Sequence, residues 1–144
     1  MVVDTQKSLL TYIENLLTID TDLQTAMGGT VRLALVWAPP DYEFPYLVHR
    51  IDIGVDIFWP GRRAVYYLDI WSHSPNAEET LAIRKIIIEL LDELEFSTAE
   101  VDRADFYLQT DGFIVESEDG IWHYALMFNL NYFRYAEITA INAR

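Results

Sequence analysis

The sequence predicts an α+β fold: an antiparallel sheet of about five strands, arranged in hairpins, with two main helices packed on one face. Three observations carry this. Apolar residues recur at helical spacing near residues 9–17 and 81–94. Longer stretches favour β residues, and the last of them alternates with a period of two. Pro60-Gly61 and Asp119-Gly120 sit between consecutive strand-like stretches, where turns belong.

Taken in order, Asp4 or Thr5 can cap a first helix whose apolar face is Leu9, Leu10, Ile13, Leu16 and Leu17. Asp20 to Met27 reads as a short second helix, closed by Gly28-Gly29 acting as a C-cap. Val31 to Trp37 is a short apolar run that predicts a strand, broken by Ala38-Pro39-Pro40-Asp41. Tyr46–Phe58 and Ala64–His73 form the clearest hairpin, with Pro60-Gly61 at the centre of a type II turn. Ser74-Pro75 predicts the start of the main helix, with Ser as N-cap and Glu78 and Glu79 in its first turn. Leu81, Ile87, Ile88, Leu91 and Leu94 give that helix a broad apolar face, with Glu89, Asp92 and Glu93 largely opposite. Phe106–Glu116 and Ile121–Tyr135 flank Ser117 to Gly120 as a second hairpin. Trp122, Tyr124, Leu126, Phe128, Leu130 and Tyr132 point to one side of its last strand. That strand would exceed about 40 Å, longer than a small core needs, so part of it is expected to project.

With 144 residues and no internal repeat or linker, one domain spanning 1–144 is expected. A hydrophobic fraction of 51% is ample for a packed core, which excludes a disordered chain. Aromatics make up 14%, enough that some are expected at interfaces. The formal net charge is -13, so sequence-independent binding to nucleic acid or to an anionic membrane is disfavoured. Residues 77–120 concentrate this charge, with thirteen acids against three bases. The chain has no cysteine, which removes disulfides, thiolate metal sites and cysteine nucleophiles. The start Met1-Val2-Val3-Asp4 does not read as a signal peptide, and no stretch approaches the roughly 20 apolar residues of a membrane span.

No phosphate loop, dinucleotide fingerprint, nucleophile elbow or zincin motif occurs. His49, His73 and His123 each fall in or at the end of an expected strand. His73 and Asp69 share a face, but nothing fixes a third ligand, so no metal site is assigned. The acid pairs Glu78/Glu79, Asp92/Glu93 and Glu118/Asp119 belong to a helix start, a helix face and a turn, so no catalytic residue and no cofactor are assigned. Two surfaces remain as candidates. Phe58, Trp59, Arg62 and Arg63 combine rings with planar cations at a hairpin tip, a composition enriched at interface hot spots. Glu89, Asp92, Glu93, Glu118 and Asp119 are candidates for an acidic surface or lumen that DNA would slide past.

Ala38-Pro39-Pro40-Asp41, Pro45-Tyr46-Leu47-Val48, Leu68-Asp69-Ile70-Trp71-Ser72 before a long helix, and Ile121-Trp122-His123-Tyr124-Ala125-Leu126-Met127-Phe128 follow one another in a familiar order. From about Leu9 to Tyr135 the chain resembles the phage tail-completion family, the tail terminator proteins of long-tailed phages and related tail-like particles. The resemblance implies an antiparallel sheet with flanking helices and a homohexameric ring. That ring would cap the tail tube protein, stop its polymerisation and join the tail to a head-completion or connector protein at the neck. It implies a virion structural protein, assembled in the host cytoplasm, through which DNA passes without specific binding, and no enzymatic activity. The chain departs from shorter members in a longer first hairpin at Asp56 to Arg63 and a more acidic stretch from Ala99 to Asp105. Two alternatives stay open: another head-to-tail connector, and, from a different class, a small-molecule-binding α+β module, which would need a closed aromatic-lined pocket of about 300 Å³ or more.

Overall fold

The computed structural model describes residues 4–58 and 61–134, the side chains of 55–58 excepted. The element order is α1 (Thr5–Ile19), α2 (Thr21–Ala26), β1 (Leu33–Leu35), β2 (Tyr46–Phe58), β3 (Gly61–His73), α3 (Glu78–Leu91), β4 (Glu95–Phe96), β5 (Val101–Ile114) and β6 (Ile121–Arg134). Six strands form one sheet in the order β1-β2-β3-β6-β5-β4. The architecture is the expected α+β, with corrections in its details.

The helix caps follow from the sequence. Asp4 Oδ1 accepts from Lys7 N at 3.0 Å and Asp20 Oδ2 accepts from Leu23 N at 2.9 Å, each satisfying a donor left over in a first turn. Gly28 and Gly29 close α2 at φ 86 and 119, a conformation costly for any side chain. The α3 start differs from expectation. Ala77, not Ser74, is the N-cap, and the helix begins at Glu78. Ser74 is held elsewhere: its N–H donates to Gly120 O at 3.0 Å, and its carbonyl accepts from Trp122 Nε1 at 3.0 Å. These long-range bonds override the local Ser-Pro signal. Asn76 Oδ1 accepts from Glu78 N at 3.0 Å instead. The buried face of α3 is Thr80, Ile83, Ile87 and Leu91, whereas Leu81 is exposed.

The sheet is mixed rather than purely antiparallel. β1 is only three residues long and pairs parallel to β2, Leu33 opposite Leu47. β4, two residues opposite Asp105 and Ala104, was not anticipated. Gly61 is the first residue of β3, opposite Phe58, rather than a turn centre. Trp59 and Pro60, the other residues of the expected turn, lie outside the described residues. β6 does not project. It lies between β3 and β5, pairing with β3 from Ile121 opposite His73 to Phe133 opposite Gly61, and with β5 from His123 opposite Ile114 to Arg134 opposite Val101.

Register decides the core. Leu47, Ile70 and Tyr124 lie across from one another, as do Ile51, Tyr66 and Phe128. All are buried, and all belong to the cluster that includes Leu9, Ile13 and Leu17 of α1 and Ile83, Ile87 and Leu91 of α3. The helices thus cover one face. Each fully buried ring there, such as Phe106 or Phe128, contributes on the order of 2–3 kcal/mol of hydrophobic free energy. The element sequence helix, short strand, long strand, long strand occurs twice, and the two copies meet at the β3–β6 seam. No sequence repeat accompanies it.

Candidate functional site

The two ends of the long sheet differ in chemistry. One end carries the β2–β3 hairpin. Arg63 Nε donates to Asn131 Oδ1 at 3.3 Å, which orients the guanidinium along the sheet. Arg62, Arg63, Asn131 and Phe133 line a groove of about 240 Å³. Asp105 also lines it, 3.5 Å from Arg103 Nε. Register shifts at Ile53/Asp56 and Asp56/Phe58 bend this hairpin. A Cβ on Gly54 would stand 2.7 Å from the Arg63 carbonyl oxygen, so glycine permits the close strand approach. Of the four docking candidates, Arg62 and Arg63 are at the groove, Trp59 and the Phe58 side chain lie outside the described residues.

The other end is the β5–β6 hairpin. Val115 is 95% exposed, and Phe113 and Ile114 are nearly half exposed beside it. With Glu116, Glu118, Asp119 and Trp122 they line a shallow depression of about 220 Å³. Gly120 takes φ 83, as the Asp-Gly turn signal predicts. The five acidic candidates do not form one surface. Asp92 caps the end of α3 and its Oδ1 accepts from Leu108 N at 2.9 Å. Glu93 sits next to it with φ 62, and Glu89 faces Lys85 at 4.0 Å. Glu118 and Asp119 lie past the far end of β5, roughly 20 Å further along that strand.

Sequence reasoning missed a ring and carboxylate cluster on the sheet face away from the helices. His123 stacks on Trp71 with centroids 3.9 Å apart, and Trp71 stacks on Tyr46 at 6.2 Å. His123 Nδ1 is 2.9 Å from Glu116 Oε1. Its Nε2 lies 3.3 Å from Asp69 Oδ1, ion-pair distance but poorly aligned for a hydrogen bond. Burial works against the imidazolium, yet contact with Asp69 and Glu116 outweighs it and raises the His123 pKa. Asp69 is therefore the partner of His123, not of His73, whose ring packs against Phe44 at 5.7 Å. Among the described residues no group of three or more His, Asp or Glu side chains is arranged to hold a metal ion. The missing signal was the β3–β6 register, which sets Trp71 opposite His123.

Two further polar groups are built into the helix side. His49 is buried, with Nδ1 2.7 Å from Tyr66 Oη, and burial lowers its pKa to about 4. Arg84 of α3 donates from Nε to Asp111 Oδ2 and to Tyr124 Oη, each at 2.6 Å, and Tyr124 Oη donates to the same carboxylate. Desolvation pushes Asp111 up, but these bonds prevail and hold its pKa below the usual value. A bulge between Leu108 and Thr110 is what turns Asp111 to this face. At the other sheet edge, Trp37 is 83% exposed beyond β1, and Val36 before it takes φ 66, an outlier for a β-branched residue.

What these surfaces offer is contact area and charge. The fold is shared with chains of solved structures. A chain from a structure titled "Virion of native gene transfer agent (GTA) particle" superposes with TM-score 0.75 at 12% identity, covering 92% of this chain and 99% of that one. A second solved chain matches with TM-score 0.67, again at 12% identity over 92% and 99%. No protein-family model matches the sequence, and no curated protein does.

Proposed function

We propose that this protein is a virion structural component, a tail terminator that forms a homohexameric ring on the tail tube. One observation carries the reading: nearly the whole chain shares its fold with a chain of a gene transfer agent virion, at TM-score 0.75. The sequence resemblance to tail-completion proteins covers the same span, from about Leu9 to Tyr135. The ring would stop tube polymerisation and present its other face to a head-completion or connector protein at the neck. DNA would pass without specific contacts, which suits a net charge of -13. The role is structural rather than enzymatic. A small-molecule-binding module is less well supported. A depression of about 300 Å³ is lined by Asp4, Gln6, Lys7, Leu10, Thr11, Glu14 and Leu35, without an aromatic ring.

The test is light scattering across a concentration series, with negative-stain imaging and a tube-polymerisation assay. Rings of about 100 kDa, six times the 16.7 kDa chain, that halt polymerisation of a co-produced tube protein are expected. A chain that stays monomeric and leaves tube growth unaltered overturns the proposal. Rings that bind a connector but do not stop tube growth assign it to the neck instead.

A further inference from the structure

A closed ring needs two different, complementary surfaces on each subunit. The sheet supplies such a pair at its opposite ends. We infer that the β5–β6 tip of one copy seats in the Arg62/Arg63 groove of the next copy. The inference rests on the self-assembly proposed above and names the surfaces that perform it.

The tip combines an exposed aliphatic side chain, Val115 at 95%, with the carboxylates of Glu118 and Asp119. Glu116 is already engaged by His123, so Glu118 and Asp119 are the charges that recognise the partner. The groove offers the converse: the exposed guanidinium of Arg63 on the face shared with Asn131 and Phe133, and about 240 Å³ of space for an aliphatic side chain. Among the described residues the carboxylate at the groove is Asp105, and it is offset by Arg103. A bidentate fork facing a carboxylate around an apolar centre is the usual composition of a specific contact. The two surfaces cannot meet within one chain. They are separated by the length of β6, about 40 Å at 3.3 Å per residue. Repeated head to tail, such a contact between unlike patches is heterologous and gives a ring or a filament, whereas a reciprocal twofold pairing would stop at a dimer.

The absence of cysteine makes the test direct. Val115→Cys and Asn131→Cys are combined in one chain and oxidised mildly. Both sites lie on opposite ends of the sheet, beyond the roughly 7 Å over which a disulfide can close within a subunit. A ladder of covalent oligomers on a non-reducing gel is expected for the double variant, with each single variant remaining monomeric. In parallel, Arg63→Glu should raise the concentration at half-assembly at least tenfold, and adding Glu118→Arg should restore part of it. Equal ladders from single and double variants, covalent dimers from Val115→Cys alone, or an unchanged Arg63→Glu midpoint would overturn the contact. A six-subunit ring indifferent to every variant keeps the ring and removes this interface. A variant-sensitive ladder that grows into fibres keeps the interface and removes the ring. A chain that stays monomeric at every concentration removes both.

Discussion

Acidification should weaken this fold through His49. The ring is 3% exposed, and its pKa lies at about 4 instead of the 6.5 of a solvated histidine. The buried site favours the neutral form, whereas the unfolded chain takes up a proton readily below pH 6.5. The group's contribution is therefore complete above the unfolded value and is lost as pH falls towards 4. Between pH 7 and pH 5 the loss amounts to about 2 kcal/mol, a large share of a small domain's stability. His123 works in the opposite sense. Its raised pKa gives stability that is present at low pH and lost as pH rises through its folded value. Other groups titrate too, so the informative quantity is a difference. Urea unfolding followed by tryptophan fluorescence would be run at both pH values, at one protomer concentration, for the native chain and for His49→Gln. The native chain should lose about 2 kcal/mol more than the variant over that interval. An identical loss in both would refute the reasoning and mean that the His49 site hydrates or opens before it protonates.

Further outcomes follow from single contacts. Gly54→Ala should destabilise by roughly 1–3 kcal/mol, because its methyl would press on the Arg63 carbonyl at 2.7 Å, and thermal unfolding measures this. Arg84→Ala should cost about 1–3 kcal/mol, since it strips both bonds to the Asp111–Tyr124 pair. The same variant should move the Asp111 pKa upward in a carboxyl NMR titration, and because the folded value then lies nearer the unfolded one, less stability should be lost through this group on acidification.

Much of the fold was legible in local chemistry. Asp4, Gly28-Gly29 and Asp119-Gly120 each satisfied a requirement that neighbouring residues alone define, and each is found where expected, whereas Asp20, expected inside the second helix, is its N-cap. Failures arose where distant residues decide. Ser74 does not cap α3 because its backbone is held by Gly120 and Trp122, more than forty positions away, and Ala77 takes the cap position. The direction of β1 was not legible, because a three-residue apolar strand reads the same whichever way its neighbour runs. The candidate surfaces were legible only as composition. Arg62 and Arg63 stand at a groove, yet its other walls come from β5 and β6. The cluster of Asp69, Glu116 and His123 joins three places that only strand register brings together.

The twofold recurrence of helix, short strand and long hairpin has a kinetic consequence. Within each half the hairpin closes through residues near in sequence, so it can form early and at small entropic cost. The seam between halves is different: Gly61 pairs with Phe133, and all thirteen pairings from there to His73 and Ile121 cross α3 and β5. Until that seam zips, β3 and β6 each expose an unpaired edge, in a cell that holds many identical copies. A swap of halves between chains satisfies the same pairings, so the concentration at which the chain refolds, rather than its stability, should govern the yield of correctly folded subunits.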